Sequence, residues 1–328
     1  MDRCLILQPI HPAGHAALRH GGVEPCVAAG LSPEALVAAI ADVRAIITRD
    51  APVGADLIAA APRLEVIGVH GVGVDPIAID AATRRGVAVV NTPGTNARSV
   101  AEHALALTFH LAKAIGAGDR AARAGDTAFK YRTRLVELEG ATFGVVGFGE
   151  IGRATARLAR GLGMDVVAWS RSRPDVAVEG VRRAPDLAAL LAESDVVSLH
   201  LPATPTTRGL IGRAEIARMK PGAFLVNTAR GALVDEAALA EALRSGTLAG
   251  AGLDVFATPL ASDSPLRGLD TVVLTPHVAG STEAALRRTA VAVAEAVLDV
   301  LAGRRPRHLL DEDAWPRLRA RRGDAEAI

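Results

Sequence analysis

The amino-acid sequence predicts an α/β protein built from two doubly wound parallel-sheet domains, and three observations support this fold class. Short apolar runs alternate with amphipathic helical stretches along most of the 328 residues, which is typical of parallel sheets with helices on both faces. One strand–helix–strand unit contains glycines in the spacing G-x-G-x-x-G. Finally, the chain is long enough to bury two sizeable cores.

The N-terminal part of the chain is expected to form an α/β unit without such a glycine motif. Its predicted strands cover 5–8, 44–48, 65–69 and 87–90, and its predicted helices lie around 13–20, 32–40, 54–60 and 77–85. Two tight turns follow strands in this unit, GVGVD at 71–75 and NTPGTN at 91–96. Because backbone amides in such turns can bind an anion, both turns are candidate ligand contacts.

The next segment predicts a long helix followed by a polar connection. Ser99 and Glu102 form a predicted capping box at the start of a helix that extends to about residue 115. His103 on this helix is expected to be packed or solvated rather than catalytic. Residues 116–140 are polar, with arginines and lysines scattered through them, and we expect a loop there.

A dinucleotide-binding unit is predicted over residues 141–173. An apolar strand at 143–146 leads into Gly147, Gly149 and Gly152, and a helical pattern and a second strand at 165–169 follow. The first glycine permits a tight turn, the second lets the backbone approach a pyrophosphate, and the third lets helix and strand pack closely. The amides of Glu150 and Ile151 would lie at the helix N-terminus, where the dipole favours an anion. The alternative is a glycine-rich turn that binds nothing.

The end of this unit favours NADP(H) over NAD. A cofactor with a free ribose 2′-hydroxyl usually meets an acidic residue at the tip of the second strand. Here that position and the three after it are Ser170, Arg171, Ser172 and Arg173. Hydroxyl and guanidinium groups suit a 2′-phosphate, and no carboxylate would repel it. The alternative is that these arginines are solvated surface charge.

Composition excludes several classes of function. The net charge is +1 and aromatic residues make up 3% of the chain, so neither a basic nor a base-stacking surface for nucleic acid is indicated. Two cysteines cannot form a disulfide framework or a Cys-rich metal site, and we expect no metal. The N-terminus does not resemble a signal peptide, and charges interrupt the most apolar helix. A cytoplasmic protein without membrane contact is therefore expected.

Later strands are predicted at 195–199, 223–227, 251–255 and 271–275, with a final helix at 282–302. Polar residues follow three of these strands: Thr228 and Arg230, then Asp254, then His277. Ligands of doubly wound sheets bind beyond the carboxyl ends of the strands. An arginine can hold a carboxylate through two parallel bonds, and a histidine can transfer a proton near neutral pH. Each residue also has an alternative without function: Arg230 as a surface cation, Asp254 as a cap and His277 as a turn residue.

Several long motifs resemble those of the D-isomer-specific 2-hydroxyacid dehydrogenases, the family of glyoxylate/hydroxypyruvate reductases and phosphoglycerate dehydrogenases. The matching stretches are GVGVD (71–75), VNTPGTNARSVAEHALAL (90–107), GVVGFGEIGRATARLARGLGMDVVAW (144–169), LHLPATPTTRGLI (199–211), MKPGAFLVNTARGALVDEAALAEAL (219–243), AGAGLDVF (249–256) and LTPHVAGST (274–282). The resemblance implies a Rossmann cofactor domain, residues 98–281, inserted in a flavodoxin-like substrate domain, residues 1–97 and 282–328. It also implies a homodimer joined through the cofactor domain, with 99–123 as the candidate interface.

The resemblance also implies a role for individual residues in reducing a small 2-oxo acid. Arg230 would hold the substrate and His277 would protonate the ketone oxygen. The implied substrate contacts are Val72, Gly73 and Asn96. The implied cofactor contacts, besides the glycine motif and residues 170–172, are Pro202, Thr207, Thr228, Ala229, Asp254 and Gly280.

One departure from the family pattern concerns the catalytic histidine. The family usually has a run such as DVFEEEPL, whose last glutamate pairs with that histidine, but this chain reads DVFATPL at 254–260. A nearby carboxylate raises the pKa of a histidine, so we expect reduction to decline at a lower pH than is usual for the family. Asp263 is a disfavoured substitute, and Thr258 could orient the ring without supplying charge.

Two other functions stay open at this point. The first is a cofactor-sensing binding protein on the same scaffold, with weak or no turnover, because a fold can be reused without its activity. The second is a formate-type dehydrogenase, which is disfavoured because the chain lacks the extended N-terminal segment of that subgroup.

Overall fold

The computed structural model describes residues 1–171, 178–258 and 264–323. The chain divides into two units: unit 1 comprises Met1–Asn96 and Ser281–Ile328, and unit 2 comprises Ala97–Gly280. Both divisions lie one residue before the boundaries expected from the sequence.

Each unit contains one sheet. The strands are β1 (Asp2–Ile6), β2 (Val23–Val27), β3 (Ala45–Thr48), β4 (Val66–Val69), β5 (Ala88–Val90), β6 (Thr142–Val146), β7 (Asp165–Trp169), β8 (Val181–Arg183), β9 (Val196–Leu199), β10 (Ala223–Asn227), β11 (Leu248–Leu253) and β12 (Val272–Leu274). The helices are α1 (Pro12–His20), α2 (Pro33–Ile40), α3 (Ala55–Ala59), α4 (Ile79–Arg84), α5 (Ala97–Ala112), α6 (Ile115–Arg123), α7 (Phe129–Arg132), α8 (Glu150–Gly161), α9 (Leu187–Glu193), α10 (Arg213–Ile216), α11 (Glu236–Arg244), α12 (Glu283–Leu301) and α13 (Ala314–Arg322).

The sheet of unit 1 is parallel, with the strand order β2-β1-β3-β4-β5, which is the flavodoxin-like order. One face is covered by a core that includes Val293 and Val297 of α12, and the other by residues of α2 to α4. The continuous apolar runs of β3, β4 and β5 are fully buried, as expected for parallel strands covered on both faces.

The sheet of unit 2 is also parallel, with the order β12-β11-β10-β9-β6-β7-β8. Read from β8, this is the dinucleotide-binding order extended by one strand, and the order reverses between β6 and β9. The two sheets confirm the predicted fold class of two doubly wound parallel-sheet domains. The carboxyl ends of β6, β10, β11 and β12 therefore lie on one edge of unit 2.

Two local predictions were wrong. Residues 116–140 are not a continuous loop, because they contain α6 and α7, two fully described helices without a buried residue. Alanine and arginine favour helix without needing a core, so polarity alone was misleading there. The capping box also fails: α5 begins at Ala97, and the Ser99 hydroxyl donates instead to the carbonyl of Ala279. The charged C-terminal segment, for which no element was predicted, forms α13, with Leu318 buried.

Two further properties concern the described residues only. None of their helices combines the length and apolar character that crossing a membrane requires. Nor do they contain a cluster of three or more His, Cys, Asp or Glu side chains that could hold a metal ion.

Candidate active site

The glycine turn after β6 has a geometry that only glycine suits at its first position. Gly147 has a φ of 93°, in the region that side chains with a Cβ rarely adopt. Its amide donates to the Trp169 carbonyl at 2.8 Å, which joins the ends of β6 and β7. A Cβ built on Gly147 would lie 2.5 Å from the carbonyl oxygen of His200. The turn is therefore closed against the end of β9.

The other two glycines differ in what surrounds them. A Cβ on Gly152 would lie 2.1 Å from the carbonyl oxygen of Gly147, whereas a Cβ on Gly149 would meet nothing within 4 Å. Gly149 caps the 12-residue helix α8, whose first amides belong to Glu150 and Ile151. These amides have no partner within the helix, and the dipole favours an anion there. The open space over Gly149 fits the pyrophosphate of a dinucleotide.

The segment after β7 places a cation among hydroxyl groups. Ser170 directly follows the strand, and the Arg171 Nη2 donates to the Thr206 hydroxyl at 2.8 Å. The Thr204 hydroxyl lies 3.1 Å from that of Thr206 and 3.0 Å from that of Thr207. The Thr207 hydroxyl also donates to the carbonyl of Pro202 at 2.7 Å, so it stabilises this loop itself. Ser172 and Arg173 lie outside the described residues.

The turn after β10 is fixed by the side chain of Asn227, a buried residue that the sequence analysis did not single out. Its Nδ2 donates to the Arg230 carbonyl at 2.8 Å, and its Oδ1 accepts from the Ala229 amide at 3.0 Å. The Arg230 Nη1 donates to the Ala229 carbonyl at 2.7 Å. The Thr228 hydroxyl is buried and has no hydrogen-bond partner among the described residues. Asn227 could have been noticed in the sequence, because it is a polar residue at the end of an otherwise apolar strand.

Asp254 links the end of β11 to the segment after β12. Its side chain is 0% exposed. Its carbonyl accepts from the His277 amide at 2.9 Å, and its two carboxylate oxygens accept from the Val278 and Ala279 amides, each at 2.9 Å. The Thr275 hydroxyl donates to the same carboxylate at 2.5 Å. Asp254, expected from the resemblance to face the nicotinamide, thus has a structural role that the sequence did not reveal.

His277 has an exposed side chain on an unusual backbone. Its φ is 56°, and Ala114 is the only other non-glycine residue of the described chain with a positive φ. This conformation is unfavourable for residues with a Cβ and often marks functional sites. Arg230, Asp254 and His277 therefore follow three neighbouring parallel strands, β10, β11 and β12, at the same sheet edge. Gly280, the last residue of unit 2, follows shortly after.

The segment after Asp254 shows what surrounds the position of the missing glutamate. The Ala257 amide donates to the Glu236 carboxylate at 2.8 Å. Close packing holds the preceding residue, because a Cβ on Gly231 would lie 1.8 Å from the carbonyl carbon of Phe256. Thr258 is exposed. Asp263, the disfavoured substitute, lies outside the described residues.

Unit 1 contains the predicted substrate-binding turn at residues 71–75. The Val72 carbonyl accepts from the Asn91 side chain at 2.9 Å, and the Gly71 amide donates to the Thr92 hydroxyl oxygen at 3.0 Å. Among the described residues, the amides of Val72 and Gly73 donate to no protein acceptor. The turn thus presents two unpaired amides, as an anion-binding turn would. The buried Oδ1 of Asn96 likewise has no partner among the described residues.

Two histidines at strand ends, the buried His70 and the half-buried His200, were not identified from the sequence. His70 follows β4, and burial lowers its pKa to about 4. His200 follows β9, and burial lowers its pKa to about 3, with its Nε2 2.9 Å from the Ser198 hydroxyl. Both imidazoles are therefore neutral at pH 7. Each ends an apolar strand, which was the only signal in the sequence.

Comparison with known proteins adds an independent line of observation. Residues 105–279 match a family model described as D-isomer specific 2-hydroxyacid dehydrogenase, NAD binding domain. A D-3-phosphoglycerate dehydrogenase from Archaeoglobus fulgidus is 41% identical over 308 residues, covering 92% of this chain and 58% of the relative. A glyoxylate reductase from Korarchaeum cryptofilum is 41% identical over 268 residues, covering 80% of each.

Solved structures extend the similarity to the fold. The structure of an NADPH-dependent glyoxylate/hydroxypyruvate reductase from Sinorhizobium meliloti in complex with citrate gives a TM-score of 0.84 at 26% identity, over 96% of this chain and 99% of that chain. This chain spans little more than half the length of the phosphoglycerate dehydrogenases that it matches, 58% for the Archaeoglobus protein.

Proposed function

Since this chain belongs to the D-isomer-specific 2-hydroxyacid dehydrogenase family, we propose that it interconverts a small 2-oxo acid and its D-2-hydroxy acid with a nicotinamide cofactor. One observation carries the proposal: a guanidinium, a buried carboxylate and an exposed imidazole follow three adjacent strands, on the sheet that also bears the glycine turn. Arg230, Asp254 and His277 are these residues.

The chemistry of ketone reduction fits these groups. A bound reduced nicotinamide supplies the hydride. Arg230 binds the substrate carboxylate through two parallel N–H···O bonds and stabilises the negative charge that develops on the ketone oxygen. His277 donates a proton to that oxygen, acting as general acid. In unit 1, the amides of Val72 and Gly73, which donate to no acceptor among the described residues, are candidates for binding an anion.

The relatives support a small substrate. The Korarchaeum protein is named a glyoxylate reductase and the Sinorhizobium structure a glyoxylate/hydroxypyruvate reductase. We therefore place glyoxylate and hydroxypyruvate first among the acids to be assayed. Phosphorylated 2-oxo acids belong in the same panel because the longer relatives are phosphoglycerate dehydrogenases.

Mutation of Arg230 and His277 tests the proposed reaction. We expect R230K to raise the KM for the acid at least about tenfold, because lysine cannot form the bidentate contact. We expect H277N to lower kcat by about a hundredfold or more, since the general acid is lost. Asparagine tolerates the positive φ at this position, so the loop is retained. Both variants should bind NADPH as the wild type does, measured by quenching of tryptophan fluorescence.

The same assay separates the enzyme from a cofactor-sensing protein. Turnover of at least one acid by the wild type supports the enzyme. Tight NADPH binding without turnover of any acid in the panel would contradict it and favour the sensor.

The contacts of Arg171 support a preference for NADP(H). A guanidinium held beside the Thr206 hydroxyl can bind a 2′-phosphate with little loss of side-chain entropy, because its position is already restricted. We expect R171A to raise the Kd for NADPH about tenfold while changing the Kd for NADH less than about twofold. Equal weakening of both cofactors would contradict the preference.

Exposed apolar side chains in unit 2 support a homodimer. Ile115, Tyr131 and Leu135 are 53%, 82% and 54% exposed on or beside α6 and α7. Ser99, by contrast, is buried within unit 2 and is removed from the interface suggested by the sequence. Covering such residues with a second copy would remove apolar surface from water. The molar mass measured by light scattering tests this assembly.

A further inference from the structure

Helix α5 contacts the segment that carries His277 at two points. Ser99 and His103 are one helical turn apart, so both face the same side of α5. The Ser99 hydroxyl donates to the Ala279 carbonyl at 2.6 Å. The His103 Nε2 lies 3.0 Å from the Thr275 hydroxyl oxygen. The two contacts bracket His277, one on each side of it along the chain.

The hydrogen-bond pattern fixes which atom donates at His103. The single hydrogen of the Thr275 hydroxyl goes to Asp254 Oδ1, because a carboxylate can only accept. Thr275 must therefore accept from His103, which places a hydrogen on His103 Nε2. The result is a directed series of hydrogen bonds from His103 to Thr275 to Asp254, and the Asp254 carboxylate in turn holds the Val278 and Ala279 amides.

This series matters because the backbone of His277 is strained. A residue with a φ of 56° relaxes towards the ordinary right-handed region unless its surroundings hold it. The His277 amide donates to the carbonyls of both Asp254 and Thr275, at 2.9 and 3.1 Å. Loss of the His103 donor would leave the Thr275 hydroxyl with its bond to Asp254 alone. Thr275 would then be held less firmly, and its backbone carbonyl is one of the two groups that accept from the His277 amide.

We propose that His103 and Ser99 are positioning residues that hold the His277 segment in its left-handed conformation through Thr275 and Ala279. This inference rests on the proposed function, in which His277 is the proton donor. Neither residue touches the substrate. Their contribution is to keep the imidazole in the orientation that proton transfer needs, so their loss should affect kcat more than binding.

Substitution of His103 with and without a replacement donor tests this role. Glutamine places an N–H at nearly the same reach as the histidine Nε2, whereas leucine has no donor. We expect H103L to lower kcat about tenfold with less than about a twofold change in KM and in the Kd for NADPH, and H103Q to recover to within about threefold of the wild type. Equal activity of the two variants, or a loss confined to KM, would overturn the proposal.

Two further variants make the result specific. T275V removes the hydroxyl at the centre of the series, so its loss and that of H103L should not add in the double variant. H110L is the matched control, since His110 lies on the same helix and its Nε2 accepts from the Gly116 amide. We expect H110L to keep the kcat of the wild type. Additive losses for H103L and T275V would contradict a shared hydrogen-bond series.

A measurement without turnover separates this proposal from the proposed function. In ¹⁵N-histidine-labelled protein, the ring signals of His277 are identified by their absence in H277N. We expect H103L and T275V to shift these signals, and H110L to leave them in place. If the wild type reduces no acid, the proposed function fails, but the shifts still test the positioning role. Unshifted His277 signals in H103L would overturn the inference whatever the activity.

Discussion

At the residue level, the candidate site contains one exposed titratable group, His277, and one buried titratable group, Asp254. The imidazole is exposed on a strained backbone, while the carboxylate is 0% exposed and accepts hydrogen bonds from three groups of the following segment. Because groups of the protein itself donate to the Asp254 carboxylate, this side chain stabilises the loop after β12. Strain at His277 is therefore balanced by hydrogen bonds elsewhere, as is common at functional sites.

The missing glutamate gives a testable pH dependence. In the proposed reaction the general acid must carry a proton, so the rate of reduction is expected to fall as pH rises. A carboxylate beside it favours the charged form and moves this decline to higher pH. We expect T258E to shift the decline of kcat/KM upward by about half to one pH unit, the small shift reflecting the exposure of Thr258. T258Q is the uncharged control, and coincident profiles for the two variants would refute this explanation.

Sequence reasoning proposed candidate residues that follow strands, but it did not reveal the hydrogen bonds that hold them. The order of apolar runs placed Arg230, Asp254 and His277 after consecutive strands, because parallel strands end on one edge. The role of Asp254 and the direction of the Ser99 hydroxyl depend on partners far away in the chain. No local pattern encodes such partners, and the capping-box prediction for Ser99 shows how a local rule can mislead.

At the level of elements, the predicted strands were those built around a run of apolar residues. β2 and β8 were not predicted, because they are edge strands with polar residues or proline. β2 contains Glu24 and Pro25, and β8 contains Arg182 and Arg183. An edge strand needs only one neighbour and tolerates proline and charge, so its sequence resembles a loop. α6 and α7 were not predicted for a similar reason: their side chains are not buried, so their sequence also resembles a loop.

The start of α8 allows a test of cofactor binding that does not disturb the fold. Gly149 has an ordinary φ of −78° and open space at its Cβ position. We expect G149A to fold with an unchanged Tm but to raise the Kd for NADPH about tenfold, because the methyl group would occupy space needed by the pyrophosphate. G161A, at the other end of α8 and equally open, should change neither quantity. Unaltered NADPH binding by G149A would contradict a pyrophosphate-binding site at this turn.

At the level of the whole molecule, each unit contains one histidine with a strongly lowered pKa and one tryptophan. His70 and Trp315 belong to unit 1, and His200 and Trp169 belong to unit 2. Single-tryptophan variants, W169F and W315F, therefore report the unfolding of one unit at a time. This matters because a protein of two units need not unfold in a single transition.

The two histidines predict a loss of stability on mild acidification. In the unfolded chain they take up a proton near their ordinary pKa of 6.5, whereas in the folded chain they stay neutral down to about 4 and about 3. The free energy of unfolding should therefore fall as pH drops below about 6.5, with a slope approaching about 1.4 kcal/mol per pH unit for each histidine. Urea unfolding at pH 7.5 and 5.5 measures this change.

Glutamine variants test whether His70 and His200 cause the loss of stability on acidification. H200Q should reduce the acid sensitivity of the transition seen by Trp169, and H70Q that seen by Trp315. Wild-type and variant proteins with parallel pH dependence would exclude these histidines as the cause.

The bond between Ser99 and Ala279 has a bearing on protein engineering. Both residues lie next to the ends of unit 2, at Ala97 and Gly280, and their 2.6 Å contact brings those ends together. Neighbouring termini are what circular permutation and domain insertion require. We therefore expect that unit 2 can be closed head to tail with a short linker and reopened between α6 and α7.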